Sequence, residues 1–141
     1  MEERRVTLVT LLLQVTHQMI DELIARVAAA GHHDIRPSDS RVFENLDPAG
    51  TRLSDLAIRA QMTHQSMSEL VSGLESRGYV TRVPDPADRR ARIVCLTERG
   101  QKLMRIALDA LSEIETEWLR RLEVAGCRDL RGAMVRLSET E

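Results

Sequence analysis

Residues 53–96 read LSDLAIRAQMTHQSMSELVSGLESRGYVTRVPDPADRRARIVCL. Leu56, Ala57 and Ile58 form the apolar side of a short helix capped by Ser54 and running to Ala60. Gln61-Met62 form a tight connection. Thr63 then caps a second helix that runs to Arg77 and is closed by Gly78. At 100° per residue, Met67, Leu70, Val71 and Leu74 share one side of that helix. Gln65, Glu69, Ser72 and Ser76 take the other, with Ser66 and Ser68 flanking them near its start. Two β-prone runs follow, Tyr79–Val83 and Arg92–Leu96, joined by a turn rich in proline and aspartate, which reads as a hairpin. Two helices on a tight turn with a hairpin behind them spell a winged helix-turn-helix.

The exposed side of the second helix is polar, as a helix entering a major groove must be, and glutamine can bind an adenine edge with two hydrogen bonds. By itself this side is equally well read as the solvated face of an ordinary amphipathic helix. The hairpin turn tips the balance. Asp85-Pro86-Ala87-Asp88-Arg89-Arg90-Ala91-Arg92 places Arg89, Arg90 and Arg92 within four residues at an expected loop tip. Such crowding costs self-repulsion unless an anion offsets it. An arginine on a narrow wing can enter a minor groove, where negative potential is concentrated, and Asp88 can orient the Arg90 guanidinium. The competing reading is a solvated loop with a surface ion pair worth little to stability.

Charge distribution agrees with a polyanion site. Residues 1–50 hold five basic and eight acidic residues, residues 51–105 hold ten and six, and residues 106–141 hold five and eight. A basic middle therefore lies between acidic flanks, although the net charge of the chain is −2.

Outward from the centre, residues 5–30 contain neither glycine nor proline. Leu8, Leu12, Val15, Met19, Leu23 and Val27 recur at spacings of three and four, widened by Val9, Leu13, Ile20 and Ile24. This is one long helix ended by Gly31, roughly 39 Å at 1.5 Å per residue, and so wide an apolar face needs a partner surface. Ser38 or Asp39 is expected to cap a short helix through Leu46. A turn follows at Asp47–Gly50, with Arg52-Leu53 a short strand. On the far side, Thr97 caps a second long helix broken at Gly126, before a final short helix carrying Leu130, Met134 and Leu137. The expected fold is mainly α with a small β wing, one domain over residues 1–141. Its winged helix-turn-helix spans 38–96 and is flanked by dimerisation helices at 5–30 and 98–138.

The chain is long enough, at 141 residues, to bury a core without staples. Aromatics amount to 2%, which argues against a base-stacking platform for single strands. Cys95 and Cys127 lie too far apart in sequence for a CxxC metal or redox site. Cys95 reads as a small buried hydrophobe. Polar residues at Thr7, Thr10, Gln14, Thr16, His17 and Gln18 break the N-terminal apolar run, so neither a signal peptide nor a membrane span is expected. A cytoplasmic protein without membrane attachment follows. Cofactor and catalytic signatures are absent, so no cofactor, metal or catalytic residue is expected and the protein is not read as an enzyme. His32-His33-Asp34 reads as a solvated loop rather than a ligand set. One other class stays open: a winged-helix module whose arginines meet an acidic protein partner.

Residues 53–100 resemble the MarR family of bacterial winged-helix transcription regulators. The resemblance is carried by Leu53-Ser54-Asp55-Leu56-Ala57, by Met62-Thr63-His64-Gln65-Ser66-Met67-Ser68 and by Leu74-Glu75-Ser76-Arg77-Gly78-Tyr79-Val80. The most specific stretch is Asp85-Pro86-Ala87-Asp88-Arg89-Arg90 leading to Leu96-Thr97-Glu98-Arg99-Gly100. The flanking helices agree in length and order. The resemblance implies a homodimer with intertwined terminal helices, probing a pseudo-palindromic double-stranded operator as a repressor. It implies a recognition helix from Thr63 and a wing arginine at Arg90 supported by Asp88. The expected DNA-facing set is Thr63, His64, Gln65, Ser66, Ser68, Glu69, Ser72, Asp88, Arg89, Arg90 and Arg92. Family members often carry a basic residue where this chain has Glu69, which instead can accept from cytosine N4. The resemblance also implies a small aromatic or anionic effector between arms and head, with His17, Ile20, Arg41, Met104 and Leu108 as its candidate wall.

Overall fold

The computed structural model describes residues 6–139. Helix α1 (Leu8–Ala29) starts where the Thr7 hydroxyl accepts the Thr10 N–H at 3.2 Å. Arg5, the expected first residue, lies outside the described residues. Gly31 ends α1 with φ +104°, a conformation that costs glycine no side-chain clash. After a 3₁₀ turn at Pro37–Asp39 comes the short α2 (Ser40–Phe43). This helix stops three residues before the expected Leu46, and neither Ser38 nor Asp39 caps it with a side chain. Asp39 is buried and engaged elsewhere.

Strand β1 (Thr51–Arg52) leads directly into α3 (Leu53–Arg59), so Leu53 opens a helix rather than extending a strand. Ser54 therefore sits inside the first turn, and the N-cap is Arg52, which supplies no capping side chain. Helix α4 (His64–Ser76) begins at the expected cap, with the Thr63 hydroxyl accepting the Ser66 N–H at 3.1 Å. Strands β2 (Val80–Asp85) and β3 (Asp88–Leu96) form the hairpin. The sheet is antiparallel with order β1-β3-β2. Helix α5 (Glu98–Val124) is capped by Thr97, and α6 (Leu130–Ser138) by Asp129.

The head is built on Leu56, Met67, Val71, Leu74, Tyr79 and Val94, which α3, α4 and the hairpin bury completely. The arms α1 and α5 pack along each other. Arg26 of α1 bridges Glu113 at 3.0 Å and Glu117 at 3.2 Å on α5, and the Trp118 indole donates to Glu22 at 3.1 Å. That indole, followed by Arg26, holds the Glu22 carboxyl below the usual carboxylate range. In the first half of α1 and on α6 the apolar stripes stay uncovered. Leu8, Val9 and Leu13 of α1 are 69%, 66% and 54% exposed, and Leu137 of α6 is 66% exposed.

Candidate nucleic-acid interface

Helix α4 inserts Met67, Val71 and Leu74 into the head and leaves its other side open, as its periodicity dictates. Thr63, His64, Gln65, Ser66, Glu69 and Ser72 are all exposed, and Ser68 is half-buried. The first turn is internally tied, since the Thr63 hydroxyl also donates to the Ser66 hydroxyl at 2.8 Å. One turn on, the Gln65 amide donates to the Glu69 carboxylate at 3.4 Å. Glu69 thus takes one of the two Gln65 amide hydrogens.

The far end of α4 is anchored. The Arg77 guanidinium grips Asp39 through Nη1–Oδ2 at 2.8 Å and Nη2–Oδ1 at 2.9 Å. It also donates to the Gly73 carbonyl at 2.8 Å and to the Asp34 carbonyl. The hydrogen bond that Arg77 donates to Asp39 raises the Arg77 pKa above its ordinary value, against the cost of burial. Next to it, the buried Tyr79 hydroxyl donates to Asp34 at 2.6 Å and accepts from Arg99 at 3.0 Å. Burial pushes the Tyr79 phenol up, and the Tyr79 hydroxyl holds the Asp34 carboxyl down. His32 is not the solvated loop residue expected, because its Nδ1 lies 3.0 Å from the Tyr79 hydroxyl. The Thr97 hydroxyl bonds the Gly78 carbonyl at 2.5 Å, joining the end of α4 to the start of α5.

The wing differs from the expected loop. Its turn is only Pro86-Ala87, and β3 begins at Asp88, so Arg89, Arg90 and Arg92 stand on a strand. Two Asx bonds make the tight turn: Asp85 Oδ1 accepts the Ala87 N–H at 2.8 Å, and Asp88 Oδ1 accepts the Arg90 N–H at 3.0 Å. Asp88 therefore supports Arg90 through its main chain and not through its guanidinium. Arg92 folds back onto the Arg89 and Ala91 carbonyls at 3.2 and 3.3 Å. Among the described residues, the Arg89 and Arg90 side chains have no hydrogen-bond or ion-pair partner. By contrast, Arg52 pairs with Asp85, Arg77 with Asp39 and Arg82 with Glu75. The excess basic charge of the middle segment is thus available at the wing.

Arg82 is a residue that the sequence reading missed. Its Nη2 donates to the Ser68 carbonyl at 2.9 Å and the Ser72 hydroxyl at 2.6 Å, bracing β2 against α4. The signal was strand alternation: two residues after buried Val80, Arg82 must face inward and needs acceptors.

The expected effector wall divides between two adjoining spaces. Ile20, Met104 and Leu108 line an apolar cavity of about 280 Å³ between α1, α2 and α5. His17 and Arg41 line a more polar cleft beside it, which Ile20 also borders. Cys95 is half-buried on β3 rather than fully buried.

A helix-turn-helix with a polar, open second helix, flanked by a wing bearing uncommitted arginines, defines a winged-helix DNA-binding protein. The MarR family model matches residues 33–91. The transcriptional regulator HosA of Escherichia coli O111:H- is 36% identical over 110 residues, which cover 75% of this chain and 81% of that protein. The chain belongs to the MarR family of transcriptional regulators. Among solved structures, a MarR-family regulator from Rhodococcus sp. RHA1 shares its fold with a TM-score of 0.73 at 18% identity, covering 99% and 97% of the two chains. The transcriptional repressor CouR, solved on a 23-mer DNA duplex, matches with a TM-score of 0.69 at 22% identity over 93% and 89%. Among the described residues, no helix is long and apolar enough to cross a membrane.

Proposed function

We propose that the protein is a homodimeric repressor that binds a pseudo-palindromic double-stranded operator and leaves it when a small aromatic or anionic effector binds. The observation that carries this reading is the placement of the open polar side of α4 beside a wing whose Arg89 and Arg90 have no internal partner among the described residues. Gln65, Ser66, Ser68 and Glu69 face base edges in the major groove. Thr63 and His64 meet phosphates at the N-terminus of α4, where free N–H groups favour an anion, and Ser72 follows one turn on. Arg90 enters the flanking minor groove, its main chain set by Asp88, while Arg89 and Arg92 lie near the backbone. The DNA-bound CouR neighbour supports this use of the fold.

The uncovered apolar stripes of α1 and α6 support the dimer, since a second copy would remove them from water. A two-fold dimer reads half-sites about one helical turn apart, roughly 10 bp. The apolar cavity between α1, α2 and α5 supports an effector, which acts only through unequal affinity for the DNA-competent and incompetent arrangements of the two heads.

Selection from a randomised duplex pool, followed by salt titration of wild type and Arg90→Ala on the selected site, tests the reading. A pseudo-palindromic site is expected, with Arg90→Ala weakening every duplex and lowering the salt slope by about one unit. Sedimentation at micromolar concentration is expected to give a dimer. Unchanged affinity and slope in Arg90→Ala overturn the wing contact and favour an acidic protein partner.

A further inference from the structure

We propose that Arg52 is a positioning residue for DNA binding: its ion pair with Asp85 sets the direction in which the wing leaves the head, and so where Arg90 meets DNA. This inference rests on the wing contact proposed above.

The sheet explains why the wing needs such a strut. Strand β1 has two residues and pairs only with Val94 and Ile93 of β3. Outward of Ile93 the hairpin is a two-stranded ribbon, ending in the Pro84–Arg92 and Asp85–Asp88 pairs. A two-stranded ribbon is marginal alone and free to twist. The register also shifts between Pro84 and Asp85, where the ribbon departs from regular pairing.

Arg82 braces only the inner half of β2, against α4. Arg52 is the side chain that reaches the outer half. Its Nη2 lies 2.5 Å from Asp85 Oδ2, and the Asp85 side chain is 7% exposed. The other Asp85 oxygen accepts the Ala87 N–H at 2.8 Å. One buried carboxylate therefore joins the turn of the wing to β1. Arg52 directly precedes Leu53, the first residue of α3, so the strut stands on the helix-turn-helix itself. Asp85 belongs to the Asp85–Arg90 stretch, and this is its task there.

The test is a double-mutant cycle on DNA binding with the whole 141-residue chain. Wild type, Arg90→Ala, Arg52→Met and the double variant are titrated at one salt concentration on a duplex carrying the selected site. Urea midpoints are measured alongside. Arg90→Ala is expected to weaken the wild type about tenfold. In the Arg52→Met background the same change is expected to cost less than about twofold, because a loose wing no longer delivers Arg90. Arg52→Lys keeps a cation within reach of Asp85 and is expected to restore most of the Arg90 effect. Asp85→Asn keeps an acceptor for Ala87 but loses the charge, and is expected to behave like Arg52→Met, which covers a failure of that variant to fold. Additive losses, whether from general destabilisation or from direct contact of Arg52 with DNA, overturn the inference. No effect of Arg90→Ala in the wild type overturns the wing contact itself.

Discussion

Replacing Asp39 by alanine probes the anchor of α4. The pair it forms with Arg77 closes two charge-assisted bonds, at 2.8 and 2.9 Å, between residues 38 apart in sequence. Asp39 Oδ2 also accepts the Arg36 N–H at 2.8 Å. The Asp39 side chain is 1% exposed and that of Arg77 17%. Breaking one partner of a buried pair costs about 3–5 kcal/mol, most of it the penalty of leaving a charge unpaired. Two features put this site at the lower end. Arg77 retains some solvent access, and it keeps the Gly73 and Asp34 carbonyls as acceptors. The expected loss is about 3 kcal/mol, a large share of the 5–15 kcal/mol typical of a domain, and about 10 °C in Tm. Urea unfolding at one fixed protein concentration measures it, since the proposed dimer would make the midpoint concentration-dependent. The double variant Asp39→Leu/Arg77→Met removes both charges and is expected to lose less than Asp39→Ala alone. A loss below about 1 kcal/mol for Asp39→Ala, or a double variant worse than the single, refutes the assignment of the anchor to this pair.

Gln65→Ala is expected to change sequence preference at a cost of about 1–3 kcal/mol on the preferred site while leaving binding to random duplex unaltered; competition titrations with both DNAs measure the two. Gly100→Ala is expected to destabilise by about 2–3 kcal/mol, because a Cβ there would lie 2.0 Å from the Tyr79 carbonyl oxygen. Gly73→Ala, inside α4, where an added Cβ would meet Arg77 Nη2 at 3.4 Å, is expected to stabilise by about 0.5–1 kcal/mol; urea midpoints in the opposite order count against both. The Asp34 carboxyl is held low chiefly by the Tyr79 hydroxyl, with Arg99 adding to it. Its contribution to stability is therefore complete above the unfolded value of about 3.9 and fades as pH falls through the lower folded value. The gap in urea midpoint between wild type and Asp34→Asn is expected to shrink on acidification below that value, and a gap that widens contradicts the bond.

The candidate interface was legible where its logic is local. The buried and open sides of α4 follow from a 3.6-residue period, and exposure at Gln65, Ser66 and Glu69 came with it. The partners of the bracing side chains were not legible. Arg82, Arg52 and Asp85 are common charged residues in a strand-forming stretch, and only the sheet register shows which acceptor each one meets.

Sequence alone determined the order of helices and wing, and the caps at Thr63 and Thr97, because these rest on contacts three or four residues apart. It also determined that the arms carry more apolar surface than they cover within one chain. Tertiary structure decided what distant surfaces do when they meet. Asp39 has the composition of a helix cap and became instead the buried partner of Arg77. The arginines expected at a loop tip stand on β3, because two Asx bonds shrink the turn to Pro86-Ala87. His17 and Arg41 fell in a different space from Met104 and Leu108. A carboxylate follows the same local propensities whether it caps a helix or binds an arginine far along the chain. Only the packing of the 3₁₀ turn at Pro37–Asp39 against α4, and of β1 against the hairpin, chooses between the two.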